Sequence, residues 1–590
     1  MMSYRLDSAI AAKAMLIVAL FVQSTVHGQG TSARLAPKTM PKRAIENPFK
    51  PSPVPAPLFS ALSSDLLTGD PGSDNAEVSA VAIPPGGKCG GSGGTGSTRL
   101  ISSVGRALPV KANTFFPWSY ISQTVNSDFS AGDAATDLTP EVSKALSVDT
   151  KYVPGTDNQF VRLSNGDLIA VRMSYIDGRA APYWDGKSGA RVGVLTVRSR
   201  DCGQTWEFNG FLDPAKIVLK FDGKDYLGAG AYPQQDNDKK LIQGGGDREE
   251  FYADPWDAQT VYTTLWFAGN WDRLTSKKIN GNRPLVANAM IFGSEDGGKT
   301  WGRTPIKMFD NGAVPIAMTA TRAKRLFLFN CVGSTPTLHL VTDGKYIQSW
   351  PVFHGNPTSP ENACAGSLTT AAETTPITNP GFLQRINQDV SISRVDGSST
   401  RDTVRVVYPA VRNGRRIAHV VVVRIEESFK LAVDHFGNST KTVSLLLSKL
   451  HEQTIVAADE TGNIIYPTFI ETDRVDLPKS STTNTSVLYW YETAREINVL
   501  KKTASVRLFT RYSVFRDDGA VPGGIASKPQ DLSVTNRSRR SWSPLNNEFI
   551  GDYMRGAFAY DGKLRFIAPW PERRPKQTLR IHYNVITVEP

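Results

Sequence analysis

Acidic and basic side chains stand just before several apolar segments that are typical of β-strands. Where such strands converge, neighbouring carboxylates raise one another's pKa, so that one of them can stay protonated near neutral pH. A general acid beside an ionised carboxylate, about 5 to 9.5 Å away, is the arrangement that glycoside hydrolysis uses. The positions at such strand starts are Asp157-Asn158-Gln159, Asp247-Arg248-Glu249-Glu250, Gln388-Asp389, Glu452-Gln453 and Asp552-Tyr553 with Arg555. The candidate site residues among them are Asp157, Asp247, Arg248, Glu250, Asp389, Asp552, Tyr553 and Arg555.

A second interpretation of the same residues is structural. Polar side chains at the start of a strand can bind main-chain groups that the sheet leaves unpaired. The sequence leaves both interpretations open for each position.

Metal and nucleic-acid chemistry are not indicated. The 4 cysteines and 7 histidines show neither a CxxC pair nor an HExxH spacing, so we predict no metal and no cofactor. The net charge of +11 would suit an anionic partner, but the basic residues are scattered and no basic run is interleaved with aromatic residues. We therefore predict no nucleic-acid partner.

The first 28 residues have the pattern of a secretory signal peptide. Arg5 and Lys13 precede the apolar run 15–22, which is too short to span a bilayer, and no other segment is long enough. The protein is predicted to be secreted, or periplasmic if it is bacterial, without a membrane span. A buried first helix is the alternative.

Residues 29–98 are rich in proline, serine, alanine and glycine and predict a disordered linker. Beyond them, short apolar runs recur and are separated by turn residues such as Asn165-Gly166 and Asp561-Gly562. This pattern predicts repeated antiparallel sheet and an all-β fold. In an oxidising compartment, Cys331 and Cys364 could form a disulfide.

Two segments share the spacing S-x-D-x-G-x-T-W, one starting at Ser199 and the other at Ser294. Each follows an apolar run and therefore lies in a hairpin turn. There the aspartate can accept main-chain N–H bonds, glycine permits a positive φ, and tryptophan packs between sheets.

These segments resemble the Asp-box (BNR repeat) β-propellers, a group that includes the sialidases. The resemblance implies a sialidase-like propeller over residues 99–590, with Asp201 and Asp296 as structural residues at the blade periphery. It also implies that the candidate residues meet at the mouth of a central channel. About six blades are predicted, near 159–212, 245–309, 313–353, 385–432, 452–520 and 548–589. The last has room for three strands only, and segment 100–110 or 114–125 is expected to complete it.

The resemblance to sialidases can be extended to single residues. Sialidases have a Phe/Tyr-Arg-Ile-Pro motif. The corresponding stretch of this chain is Gly155-Thr156-Asp157-Asn158, which contains no arginine. Asp185 matches the family's acid/base residue, with Asp177 as second choice. Tyr553 matches the tyrosine nucleophile, and Glu471 is a guess for its base.

Two functions remain open from the sequence. The protein is either a secreted glycosidase or lyase acting on an extracellular glycan, or a non-catalytic propeller that binds a glycan or a protein. As an enzyme it would bind substrate through Asp157, Arg248, Glu250, Asp389 and Arg555, with catalysis by Asp185, Asp247, Asp552 and Tyr553.

Overall fold

The structure is a computed structural model that describes residues between 62 and 588. The gaps in this range are 64–73, 84–97, 108–117, 126–135, 147–151, 155–157, 177–190, 214–215, 222–223, 228–249, 270–285, 310–315, 354–358, 366–389, 396–400, 434–438, 457–462, 473–484, 499–502, 517–524, 527–529, 532–540, 543–553, 561–563 and 574–578. The predicted signal peptide therefore lies outside the described residues.

The described chain begins with five strands and a helix. These are β1 (Leu62–Ser63), β2 (Asp74–Ile83), β3 (Thr98–Ala107), β4 (Trp118–Val125), β5 (Thr136–Asp137) and α1 (Thr139–Leu146). Strands β2 to β5 are consecutive neighbours in one sheet, which we call the N-terminal sheet.

Three sheets follow, which we number blades 1 to 3. Blade 1 consists of β6 (Tyr152–Pro154), β7 (Gln159–Arg162), β8 (Leu168–Ile176), β9 (Arg191–Ser199) and β10 (Glu207–Leu212). A separate hairpin consists of β11 (Val218–Phe221) and β12 (Lys224–Leu227). Blade 2 consists of β13 (Phe251–Ala253), β14 (Val261–Gly269), β15 (Val286–Ser294) and β16 (Lys307–Phe309). Blade 3 consists of β17 (Ala317–Ala320), β18 (Arg325–Val332), β19 (Thr335–Thr342) and β20 (Lys345–Pro351).

Three more blades complete the chain. Blade 4 consists of β21 (Ser391–Val395), β22 (Arg401–Arg412), β23 (Arg415–Val433) and β24 (Ser439–Ile455). Blade 5 consists of β25 (Asn463–Glu471), β26 (Thr485–Asn498), β27 (Thr503–Arg516), β28 (Ile525–Ala526), β29 (Gln530–Asp531) and β30 (Ser541–Trp542). Strand β31 (Met554–Arg555) precedes blade 6, which consists of β32 (Ala557–Tyr560), β33 (Leu564–Arg573) and β34 (Leu579–Val588).

The blades pack face to face around a ring of inner strands. The inner strands of blades 1 and 2, of blades 3 and 4, and of blades 4 and 5 contact one another. Buried apolar side chains fill the spaces between neighbours, as between Phe327 and Phe329 of blade 3 and Val404 and Val406 of blade 4. Because each sheet buries both faces in this way, no blade has a core of its own. The arrangement is the all-β β-propeller that the sequence predicts, and its ring contains the six blades numbered above together with the N-terminal sheet.

The N-terminal sheet corrects the predicted boundary between the linker 29–98 and the propeller. Strand β2 lies inside that range, yet it pairs with β3 and its residues 79–83 are buried. It contacts inner strands β7 and β32 and so lies between blade 6 and blade 1. An inner strand packs closely against sheets on both sides, where small alanine and serine side chains fit. The same composition is typical of a linker, so the sequence did not reveal the strand.

The N-terminal strands also close the ring, but not as predicted. Segments 100–110 and 114–125 overlap β3 and β4 of the N-terminal sheet and do not join blade 6. The strand that completes blade 6 is β1, with Leu62 opposite Tyr583. In addition, β2 pairs in parallel with β31, with Val78 opposite Met554. A strand of two residues carries no periodic pattern, so its pairing could not be found from sequence.

The two S-x-D-x-G-x-T-W segments form equivalent turns, as their spacing predicts. In the second turn, Asp296 Oδ1 accepts bonds from Thr300 N at 2.8 Å and Lys299 N at 3.0 Å, and Oδ2 accepts one from Thr300 Oγ1 at 2.6 Å. Desolvation alone would raise the pKa of Asp296, but the bonds from Thr300 and Ser294 outweigh it and hold the pKa below its ordinary value. Asp201 makes the corresponding bonds in the first turn.

The second turn also joins two blades. Gly298 O accepts a bond from Thr196 Oγ1 of blade 1 at 3.0 Å, and Gly297 O accepts one from Asn209 Nδ2 at 2.9 Å. A Cβ on Gly210 would lie 2.3 Å from Gly298 O, so only glycine permits this approach. The turn therefore stabilises the packing of blade 2 on blade 1 as well as its own hairpin.

Asp296→Ala is expected to lower the free energy of unfolding by about 1 to 3 kcal/mol, because main-chain N–H groups lose their acceptor. Asp201→Ala should behave similarly. Chemical denaturation measures the change, and Glu295→Ala is the control, since Glu295 is an exposed residue of the same turn. If activity were lost at unchanged stability, the structural assignment of these aspartates would be wrong.

The predicted disulfide between Cys331 and Cys364 is confirmed. Cys331 is in β18 of blade 3, and both cysteines are buried. Cys202 is disulfide-bonded as well. Cys89, the remaining cysteine of the chain, lies outside the described residues.

Candidate functional site

Polar side chains of one inner strand bind the main chain of the next inner strand around the ring. The bonds are Phe160 N to Ser79 Oγ at 3.0 Å, Phe251 N to Gln159 Oε1 at 3.0 Å, and Phe469 N to Ser391 Oγ at 2.9 Å. An inner strand has no strand on its axial side, so its N–H groups need such acceptors. The structural interpretation of strand-start residues thus holds for Gln159 and Ser391, the first residues of β7 and β21, whereas Ser79 lies in the middle of β2.

Two predicted site residues meet at the channel mouth. Arg555 Nη2 donates to Glu250 Oε2, and Arg555 Nη1 donates to Gln159 Oε1 at 3.2 Å. Glu250 comes directly before the inner strand of blade 2, and Arg555 comes shortly before that of blade 6. Gln159, Glu250 and Arg555 are called the mouth cluster below.

The main chain fixes Glu250 within this cluster. Glu250 N donates to Thr264 Oγ1 at 2.7 Å, and Thr264 N donates to Glu250 O at 2.9 Å. Its side chain remains 27% exposed and that of Arg555 21%. Burial lowers the pKa of Arg555 to about 10, so the guanidinium stays positive at neutral pH. The carboxylate is therefore held by a permanent cation while part of it faces solvent.

Deeper along the inner strands lies a second polar group, the interior cluster of Tyr252, Thr319, Arg394 and Glu471. Arg394 donates to Glu471 from both its main-chain N and Nη1, and from Nη2 to Thr472 O at 2.6 Å. Thr319 Oγ1 donates to Glu471 Oε1 at 2.8 Å. These contacts link the inner strands of blades 3, 4 and 5.

Tyr252 extends the interior cluster to blade 2. Its hydroxyl accepts a bond from Ala320 N at 2.8 Å and lies 3.4 Å from Thr319 Oγ1. Desolvation, and after it the charge of Glu471, raises the pKa of Tyr252 well above its ordinary value, so the hydroxyl keeps its proton. Since the Thr319 hydroxyl donates to Glu471, the proton of Tyr252 points towards Thr319.

The two glutamates differ in what they can do chemically. Glu471 is only 13% exposed and accepts bonds from Arg394 and Thr319, which stabilise its ionised form. Such a saturated carboxylate suits a structural ion pair better than the base that the sequence suggested. Glu250 is more exposed and is the better candidate for proton transfer.

The remaining predicted residues lie outside the described residues. They are Asp157, Asp177, Asp185, Asp247, Arg248, Asp389, Asp552 and Tyr553. Their roles stay predictions. Glu452, expected at an inner-strand start of blade 5, lies in β24 of blade 4. Sequence analysis did not select Tyr252, Thr319 or Arg394, and none of the five residues of the buried strand β21 other than Arg394 is charged, which was the available signal for it.

Within the described ranges, no group of three or more histidine, cysteine, aspartate or glutamate residues could hold a metal ion. The part of the chain that the structure describes also contains no helix long and apolar enough to cross a membrane.

Comparison with known proteins gave matches to solved structures only. No family model and no curated protein matches the chain. An α-L-arabinofuranosidase from Fusarium graminearum, in complex with an iminosugar inhibitor, matches at 9% identity and a TM-score of 0.29, covering 75% of this chain and 95% of that chain. A polysaccharide lyase, the PL25 ulvan lyase bound to -[GlcA(1-4)Rha3S]-, matches at 10% identity and a TM-score of 0.31, covering 72% and 80%. These structural neighbours are carbohydrate-active enzymes.

Proposed function

We propose that the protein is a glycoside hydrolase or polysaccharide lyase whose substrate binds at the channel mouth. The mouth cluster carries this proposal, because it places a partly exposed carboxylate beside a permanent cation where the inner strands begin. Inner-strand starts are where propellers form axial binding sites.

Glu250 is assigned the proton transfer in this proposal. In hydrolysis it would exchange a proton with the glycosidic oxygen or with water, opposite a second carboxylate from Asp157, Asp247 or Asp552 or the hydroxyl of Tyr553. In elimination it would remove the proton next to a uronate carboxylate. Arg555 would orient Glu250 and bind a polar group of the sugar.

A non-catalytic glycan-binding propeller is the second candidate. It is favoured by the direct bonds from Arg555 to Glu250 and Gln159, since groups that already satisfy one another are less available for chemistry. A binding module would use the same mouth to hold a sugar without turnover.

Export and membership of the Asp-box sialidase-like group are also part of the proposal. The Cys331–Cys364 disulfide supports an oxidising compartment, outside the cell or in a periplasm. The equivalent turns at Asp201 and Asp296 support the family assignment.

The test is incubation of the purified protein with a panel of neutral and uronate-containing glycans. New reducing ends without ultraviolet absorbance indicate hydrolysis, and absorbing unsaturated products indicate elimination. Retention on one glycan without any product supports the binding module instead. If no glycan is either cleaved or bound, the proposed function is wrong.

A further inference from the structure

The N-terminal sheet supplies an inner strand to the ring, and the first residues of this strand lie at the channel mouth. Strand β2 runs parallel to β31, which leads into the inner strand of blade 6. It therefore runs away from the mouth, as the other inner strands do. Its first four residues include two carboxylates, Asp74 and Glu77. Sequence analysis did not consider them, because it placed them in a linker.

Two contacts fix the position of β2 relative to the mouth cluster. Ser79 Oγ accepts a bond from Phe160 N at 3.0 Å, so Ser79 lies level with the start of β7, whose first residue is Gln159. Ser79 is also the register partner of Arg555 in β31. Residues that precede Ser79 in β2 therefore lie nearer to the opening of the mouth than the mouth cluster does.

Glu77 is two residues before Ser79. At about 3.3 Å per residue and about 4.8 Å between paired strands, its Cα lies about 8 Å from the Cα of Arg555. Arg555 in turn binds Glu250. The main chain therefore places a second glutamate next to the residue that holds Glu250, which is the requirement for a pair of carboxyl groups around one glycosidic bond.

A β-bulge distinguishes Glu77 from the rest of β2. Ala76 is opposite Gly105 and Val78 is opposite Val104, so Glu77 is an extra residue without a register partner in β3. Bulges are frequent next to active sites, where they change the direction of a side chain. The regular ladder is thus interrupted at the only glutamate of the strand.

We propose that Glu77 is the general acid of the channel mouth and acts together with Glu250. This proposal rests on the proposed function and specifies hydrolysis as the reaction. The guanidinium of Arg555 stabilises the ionised form of Glu250, which suits a base better than an acid. Glu77 is a further candidate, beside those that the sequence selected, for the carboxyl group opposite Glu250.

The two glutamates divide the proton transfers of hydrolysis between them. Glu77 gives its proton to the glycosidic oxygen while the bond from that oxygen to the anomeric carbon breaks and its electron pair stays on the oxygen. The oxygen of a water molecule bonds to the anomeric carbon, and this water loses a proton to Glu250. Glu77 then takes a proton from solvent and Glu250 releases one, so one water is consumed for each bond cleaved.

Substrates with different leaving groups test the role of Glu77. Glu77→Gln keeps the shape of the side chain but cannot transfer a proton. On the glycan identified in the panel, kcat/KM should fall by at least about a hundredfold. On the dinitrophenyl glycoside of the same sugar it should fall by about tenfold at most, because the dinitrophenolate leaves without being protonated. A merely structural role, or that of a base, would lower both rates alike.

Asp74→Asn is the matched control for this variant. Asp74 lies in the same strand, at a regular position opposite Ala107 and about 10 Å along the strand from Glu77. It should keep wild-type rates on both substrates. Wild-type rates on both substrates in Glu77→Gln, or equal losses on both, would overturn the assignment of Glu77.

Glu77→Asp covers the case in which Glu77→Gln does not fold. It keeps a proton but withdraws the carboxyl group by one methylene, so the rate on the glycan should fall and the rate on the dinitrophenyl glycoside should not. Equal rates relative to wild type on the two substrates would contradict the proposal.

This proposal and the proposed function can fail separately. If the wild type cleaves a glycan by hydrolysis and Glu77→Gln is equally active, the role of Glu77 is rejected and the proposed function stands. A wild type that neither cleaves nor binds any glycan would reject both. Products that absorb ultraviolet light would show elimination, which excludes the general acid proposed for hydrolysis but keeps the proposed function.

Discussion

Glu250→Gln is expected to lower kcat by at least about a hundredfold, the scale of a lost acid or base. Glutamine keeps the shape and can still accept a bond from Arg555, but it cannot exchange a proton. Steady-state kinetics on the glycan identified in the panel measures the loss. Melting temperature should change little, because the side chain is partly exposed.

Glu295→Gln is the control for this experiment, since it removes one exposed carboxylate from a peripheral turn. It should retain wild-type kinetics. A raised KM with unchanged kcat in Glu250→Gln would make Glu250 a binding residue, and wild-type values of both would exclude it from the site.

Glu471→Ala is expected to destabilise the fold by about 3 to 5 kcal/mol, because it leaves the buried Arg394 charge without its carboxylate. Thr319 and the main chain of Arg394 lose an acceptor in the same change. Chemical denaturation monitored by tryptophan fluorescence measures the difference.

The matched control is Glu207→Ala, which breaks the exposed pair of Arg200 and Glu207 at 2.9 Å. Exposed pairs contribute about 0 to 1 kcal/mol, so this variant should stay close to wild type. The double change Arg394→Met with Glu471→Leu should recover most of the stability, since it removes both charges together. Equal losses in Glu471→Ala and Glu207→Ala would contradict a structural role for the interior cluster.

The parts of the fold that sequence predicted depend on local signals. The turns at Asp201 and Asp296 are recognisable because eight neighbouring residues supply every bond that defines them. Strand β2 was missed because its small residues suit both a linker and a tightly packed inner strand. Its identity depends on blades 1 and 6, which are distant in sequence.

In the candidate site, too, only the features with a local sequence signal could be predicted. Residues at strand starts could be selected by position, and Glu250 and Arg555 are indeed in contact. Whether they perform chemistry stays a prediction. The pair of Arg394 and Glu471 could not be found, because it joins the fourth residue of β21 to the last residue of β25 across two blades. Nothing in either strand alone specifies that register.

The closure of the ring has a consequence for biosynthesis. Leu62 pairs with Tyr583, and Val78 pairs with Met554, so the earliest strands of the ring find partners among the last to be made. During translation, β1 and the edge of β2 that pairs with β31 stay unpaired until nearly the whole chain has been made. Contacts between residues so far apart in sequence form slowly, and strand edges that stay unpaired in the meantime promote aggregation. We therefore expect the N-terminal strands to be prone to aggregation until the C-terminal strands have been made.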